Sequence, residues 1–126
     1  MAKNSEKKIL LIEDDPTQVM IYETEFKLFG HELLVARGGR EGLKMVSEKK
    51  PDLVLLDLLL GDIHGLEVLK EIKANKETAG IKVVIFSNYH EKGLAAECQE
   101  LGAEDYLMKS DFVPKEVVEM AEKYLE

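Results

Sequence analysis

Three carboxylates, a hydroxyl and an ammonium group each follow a short apolar run. Glu13 and Asp14 come directly after ILLI (9–12), Asp57 after LVLL (53–56), Ser87 after VVIF (83–86) and Lys109 after YLM (106–108). Carboxylate oxygens are hard ligands that suit Mg²⁺, an ion that also keeps several waters. Three such groups drawn together repel one another unless a cation joins them. A lysine ammonium can pair with a phosphoryl oxygen, and a serine hydroxyl can donate to one. Metal, carboxylate, cation and donor are the parts that phosphoryl transfer needs, because its catalysis is mostly positioning and charge neutralisation. A carboxylate can itself be the nucleophile and form an aspartyl phosphate. Taken singly, each group has an ordinary explanation. Acids gather at helix N-termini, aspartates fill turns, and lysines are solvated. The specific signal is their joint occurrence after four apolar runs.

The elements that must position them can be read from periodicity. The runs at 9–12, 53–56 and 83–86 are strand-length, with weaker ones at 33–36 and 106–108. Continuous apolar runs of this length suit strands buried on both faces. Between them the apolar residues recur at helical spacing. Over 16–29 these are Val19, Tyr22, Phe26 and Phe29, with Asp15-Pro16 as the start and Gly30 as the stop. Further helices are predicted over 40–49, 65–76, 91–101 and 114–125, the fourth stopped by Gly102 and the last opened by Pro114. Five β-α units predict an α/β fold, a parallel sheet with helices on both faces and right-handed crossovers. In such an open sheet the ligand crevice lies outside the carboxyl ends of the strands. If the first, third, fourth and fifth strands are neighbours, the five groups converge there.

Composition limits the alternatives. A chain of 126 residues with 45% apolar content is the size of one domain with a real core. No stretch approaches the ~18 apolar residues of a membrane span. The single cysteine, Cys98, excludes an internal disulfide and suits a cytoplasmic setting. Acidic residues outnumber basic ones 25 to 17, for a net charge of −8, which argues against direct nucleic-acid binding. No His/Cys cluster has zinc spacing. Gly38-Gly39 lacks the Lys-Ser/Thr of a phosphate loop and reads as a turn.

The stretches KILLIEDD, PDLVLLDLLLGDIHGLEVLKEIK, VVIFSN and GAEDYLMKS resemble the receiver domain of two-component response regulators, over about residues 8–125. The resemblance implies a flavodoxin-like (βα)₅ doubly wound sheet of order 2-1-3-4-5, as in a chemotaxis member of the family. It implies one receiver domain over 8–126; residues 1–7 are polar and terminal and are expected to be disordered. Asp57 looks like the phosphoacceptor. Glu13 and Asp14 resemble the acidic pair that holds Mg²⁺, with Asp57 and the backbone carbonyl of Leu59 completing the protein ligands. Ser87 and Lys109 match the residues that contact the phosphoryl group, and Tyr106 stands at the aromatic switch position. Asp15 caps the first helix. The implied partners are a histidine kinase or histidine phosphotransfer protein, a downstream target or output domain, and a second copy on phosphorylation. The implied signalling surface is the fourth helix, fifth strand and fifth helix. The domain would catalyse its own phosphorylation and dephosphorylation without being a turnover enzyme.

Four positions depart from the common pattern. Gly61 and Ser110 replace prolines, Asn88 replaces a small residue, and His64 stands where an acid is common. Gly61 predicts a looser loop after Asp57. With serine at 110, the preceding peptide is expected to be trans, because a non-proline cis bond costs ~3 kcal/mol. Leu59, Asn88 and Tyr89 are expected to crowd the site and prolong the aspartyl phosphate. An aspartate-nucleophile phosphohydrolase would need a second Asp at 59, where Leu stands. The remaining alternative is a receiver-like interaction module that works without phosphorylation.

Overall fold

The computed structural model describes residues 7–126, so most of the N-terminal stretch expected to be disordered lies outside the described residues. The strands are β1 (Ile9–Ile12), β2 (Leu33–Ala36), β3 (Leu53–Leu56), β4 (Lys82–Ser87) and β5 (Asp105–Met108). The helices between and after them are α1 (Pro16–Leu28), α2 (Gly39–Lys49), α3 (Gly65–Ala74), α4 (Leu94–Glu100) and α5 (Pro114–Leu125). All strand pairs are parallel and the sheet order is β2-β1-β3-β4-β5.

Strand alternation divides the interior into two cores. Leu10, Ile12, Val54 and Leu56 face one side and pack with Val46, Val68, Leu69, Ile72, Leu94 and Cys98 of α2–α4. Ile9, Leu11, Leu53 and Leu55 face the other, against Tyr22, Phe26, Val117, Val118 and Ala121 of α1 and α5. Because each strand residue contributes to one core or the other, the runs ILLI and LVLL have to be apolar throughout.

Five helix boundaries differ from the periodicity reading; α2 starts one residue earlier, at Gly39, and α4 stops one residue sooner, at Glu100. Phe29 caps α1 instead of extending it and is 40% exposed. α3 ends at Ala74, because Asn75 turns extended and its side-chain oxygen accepts the Glu77 N–H at 2.9 Å. That local Asx bond competes with the helix. α4 begins at Leu94 and not at residue 91, since Gly93 at its N-cap takes a left-handed φ of 83°. The described chain contains no cis peptide, so Lys109–Ser110 is trans as expected. Among the described residues no helix is long and apolar enough to cross a membrane.

Candidate functional site

Strand register brings the site together. Ile12 pairs with Leu56 and Leu56 with Ile85, so Glu13 and Asp57 leave the sheet side by side with Ser87 just beyond. Ser87 pairs with Met108, which sets Lys109 next to it. Backbone bonds fix the exits: Glu13 N–H donates to Ala36 O at 3.0 Å and Asp57 N–H to Ile12 O at 3.1 Å.

Asp57 is buried but not alone. The Ser87 hydroxyl donates to its Oδ1 at 2.5 Å, and Lys109 Nζ donates to its Oδ2 at 3.0 Å. Lys109 also holds Glu13 Oε1 in a close ion pair, and its ammonium lies 5.9 Å from the centre of the Phe86 ring. Glu13, Asp57, Ser87 and Lys109 are all under 10% exposed. Burial raises the Glu13 pKa above the usual carboxylate range. The Lys109 hydrogen bond opposes that rise, and the nearby Asp57 charge adds to it. Burial alone would lower the Lys109 pKa. The Glu13 bond and the Asp57 charge outweigh it and hold the ammonium above its ordinary value.

Asp14 is exposed beside them, on the same open pocket as Glu13, Asp57, Leu59 and Lys109. Among the described residues no three His, Cys, Asp or Glu side chains are grouped so as to hold a metal ion. The physical reason is that Glu13 is turned onto Lys109. Mg²⁺ does not need such a group, because it keeps several waters and binds through one or two carboxylates. The exposed Asp14 and the Asp57 carboxylate supply hard oxygen donors at one pocket, and this donor set fits the ion.

Around this centre the loops are tied. Asp15 caps α1 by accepting the Thr17 and Gln18 N–H groups at 2.9 and 3.4 Å. The Tyr106 hydroxyl donates to the Tyr89 carbonyl, and burial raises its pKa. The Tyr89 ring meets the His64 ring edge-on at 6.1 Å. His64 N-caps α3, its Nδ1 accepting the Leu66 N–H at 3.0 Å. Asn88 Oδ1 accepts the Ser110 N–H at 2.9 Å. Gly61 was expected to loosen the loop after Asp57, yet the next residue anchors it. The Asp62 carboxylate accepts N–H groups of Gly39 and Arg40 at 2.8 and 2.9 Å. Sequence reasoning gave Asp62 no part, since its partners lie more than twenty positions away.

Glu13, Asp14, Asp57, Leu59, Ser87 and Lys109 line one pocket at the carboxyl ends of the strands; Tyr106 lies outside it, two residues before the end of β5, and its hydroxyl reaches the carbonyl of Tyr89, which does line it. The response regulator receiver domain model matches residues 9–122. The polar-differentiation response regulator DivK of Brucella anthropi is 30% identical over 119 residues, covering 94% of this chain and 96% of that protein. The crystal structure of a Mn²⁺-bound response regulator, Rcp1, is 31% identical with a TM-score of 0.79, covering 93% of this chain and 90% of its own. A CheY-like receiver domain protein from Methanospirillum hungatei is 28% identical with a TM-score of 0.83, covering 94% and 93%. Five parallel strands in the order 2-1-3-4-5, with five helices, are the flavodoxin-like architecture expected of such a domain. The chain belongs to the response regulator receiver domain family.

Proposed function

We propose that this receiver takes a phosphoryl group onto Asp57 from a phosphohistidine of a histidine kinase or histidine phosphotransfer protein, in a Mg²⁺-dependent reaction. The observation that carries this reading is the Asp57 carboxylate itself. It stands at a pocket floor with one oxygen on Ser87 and the other on Lys109.

One carboxylate oxygen of Asp57 attacks phosphorus, and the P–N bond to the donor imidazole breaks. The departing nitrogen keeps the electron pair and is neutral once protonated. Asp14, Glu13, Asp57 and the Leu59 carbonyl would hold Mg²⁺, which when bound neutralises charge on the phosphoryl oxygens. Lys109 supplies the cation that follows a phosphoryl oxygen, and Ser87 the hydroxyl donor. The new charge and oxygens draw Ser87 away from its present bond, and Tyr106, held on the Tyr89 carbonyl, is the ring that responds. The α4-β5-α5 face then carries the signal to a downstream target, an output domain or a second copy. The domain catalyses its own phosphorylation and dephosphorylation and turns over no outside substrate. The net charge of −8 favours protein partners over direct contact with nucleic acid, and the single cysteine suits the cytoplasm.

Intact mass after incubation with acetyl phosphate and Mg²⁺ tests the reading. One phosphoryl adduct is expected, absent in Asp57→Ala and absent without Mg²⁺. An unmodified wild-type mass, with beryllofluoride also failing to bind, would favour an interaction module that works without phosphorylation.

A further inference from the structure

The loop between β3 and α3 carries Leu59, whose carbonyl is assigned above to the metal. What fixes that loop is visible at both its ends. At the first, the Gly65 N–H donates to Leu58 O at 2.8 Å. The backbones there are so close that a Cβ on Gly65 would stand 2.3 Å from the Asp57 carbonyl oxygen. At the second, Asp62 reaches the start of α2. That helix begins at Gly38, an N-cap with no side chain to satisfy the first amides. Asp62 supplies the cap from another loop, with one oxygen on Gly39 N–H and the other on Arg40 N–H. The fit is tight: a Cβ on Gly39 would come 2.5 Å from Ile63 Cγ1.

Between these anchors lie Leu59, Leu60 and Gly61. The Leu59 side chain is 52% exposed, and Gly61 is exposed and lacks a Cβ. The Leu59 backbone N–H donates to Asp57 Oδ1, at a long 3.3 Å. The exposed Leu59 side chain therefore does not fix its own carbonyl; Leu60 packs onto the core just beyond it, and the polar tie on the far side is Asp62. The span is held by Leu60 on the core and by its two ends, and Asp62 is the polar anchor of the far end.

We propose that Asp62 is a positioning residue for the phosphorylation site: its clasp on α2 sets the Leu59 carbonyl toward the divalent cation. This rests on the reading of Asp57 as a Mg²⁺-dependent phosphoacceptor. Asp62 is not itself a ligand: its carboxylate caps α2 and does not line the pocket of Glu13, Asp14 and Asp57. Outer partners of this kind govern metal affinity by holding the ligands in place.

The test is a Mg²⁺ titration of the full chain, read two ways. Amide NMR shifts report binding of Mg²⁺ alone. Phosphorylation by acetyl phosphate reports the Mg²⁺ concentration for half-maximal rate. Asp62→Ala is expected to raise both half-saturation values roughly tenfold, with the rate recovering at saturating Mg²⁺. Asp62→Asn keeps one acceptor oxygen and is expected to give a smaller shift. Glu41→Ala removes a different bond at the same helix start, Glu41 Oε1 to Arg37 N–H at 2.8 Å, without touching the loop. It is expected to leave Mg²⁺ half-saturation unchanged, so helix fraying alone does not produce the effect. Wild-type half-saturation in both Asp62 variants, or an equal shift in Glu41→Ala, overturns the proposal. A wild-type chain that neither binds Mg²⁺ nor takes the phosphoryl group defeats the underlying reading instead.

Discussion

The Ser110 N–H donates to Asn88 Oδ1 at 2.9 Å, joining the loop after β4 to the loop after β5. Two departures from the family pattern are thereby one feature. A proline at 110 has no N–H to give, and a small residue at 88 has no oxygen to receive it. The bond holds the Asn88 side chain toward Ser110 while Asn88 still lines the pocket of Asp57.

Asn88→Ala and Ser110→Pro are each expected to cost about 1 kcal/mol, the net worth of an ordinary hydrogen bond. Urea unfolding of both single variants and the double variant checks this. The double variant is expected to be less destabilised than the sum of the two, since each single change already breaks the shared bond. Additive losses would mean that the two residues act separately.

Lys109 balances two buried carboxylates at once, Glu13 and Asp57. Lys109→Met leaves both without their cation, and stability at neutral pH is expected to fall by ~3 kcal/mol. Millimolar Mg²⁺ is expected to restore more stability to the variant than it adds to the wild type, because it supplies the missing positive charge. Acetyl phosphate labelling of Asp57 is expected to be lost. Denaturant curves with and without Mg²⁺, together with intact mass, measure all three.

Leu59 and Tyr89 offer no carboxylate or amide side chain to orient a water for attack on the aspartyl phosphate. Tyr89 is further held by His64 on one side and by Glu91 on its hydroxyl at 3.1 Å. The phosphorylated wild type is expected to outlast Leu59→Asn/Tyr89→Glu by several-fold. Decay of the labelled protein after removal of the donor gives the two lifetimes. Equal lifetimes, or a longer one in the variant, would show that water access is set elsewhere.

The Asp62 carboxyl is pulled from 3.8 to about 2, first by the Arg40 N–H and then by those of Gly39 and Ile63. A depressed folded-state value favours folding above the unfolded value and loses that contribution as pH falls. The stabilisation is therefore present above about pH 4 and disappears as pH falls toward 2. Thermal melts between pH 5 and pH 2 should show a gap between wild type and Asp62→Asn that narrows with acidification. A gap of constant size would separate the capping bond from its charge.

Much of this molecule is written in short-range pattern. The parallel strands are legible because residues such as Leu10 and Leu11 serve opposite cores, which forces continuous apolar runs. Asp15-Pro16 and Gly30 announce the ends of α1, since a capping side chain, a fixed φ and a left-handed φ are each local demands. The chemistry-bearing residues are legible because strand ends carry them. Side-chain bonds between distant loops leave no such mark. Asp62 reaches Gly39, Asn88 reaches Ser110, and His31 reaches Glu122 of α5 at 2.7 Å across 91 positions. Nothing in the neighbouring residues of any of these pairs requires the partner. α4 starts three residues later than periodicity predicts, because Glu91-Lys92 reads as helical until the Gly93 backbone turns left-handed.

The brevity of α4 carries a consequence for hydrogen exchange. The helix has seven residues, and its buried anchors are Leu94 and Cys98. β1 and β3 are sealed on both faces and flanked on both edges, so their amides exchange only when the whole domain opens. α4 can detach by exposing two side chains and leaving the sheet intact, and its amides lose protection in a smaller, cheaper opening. Amide exchange is therefore expected to be faster in α4 than in β1 and β3, as a local unfolding event confined to one short helix.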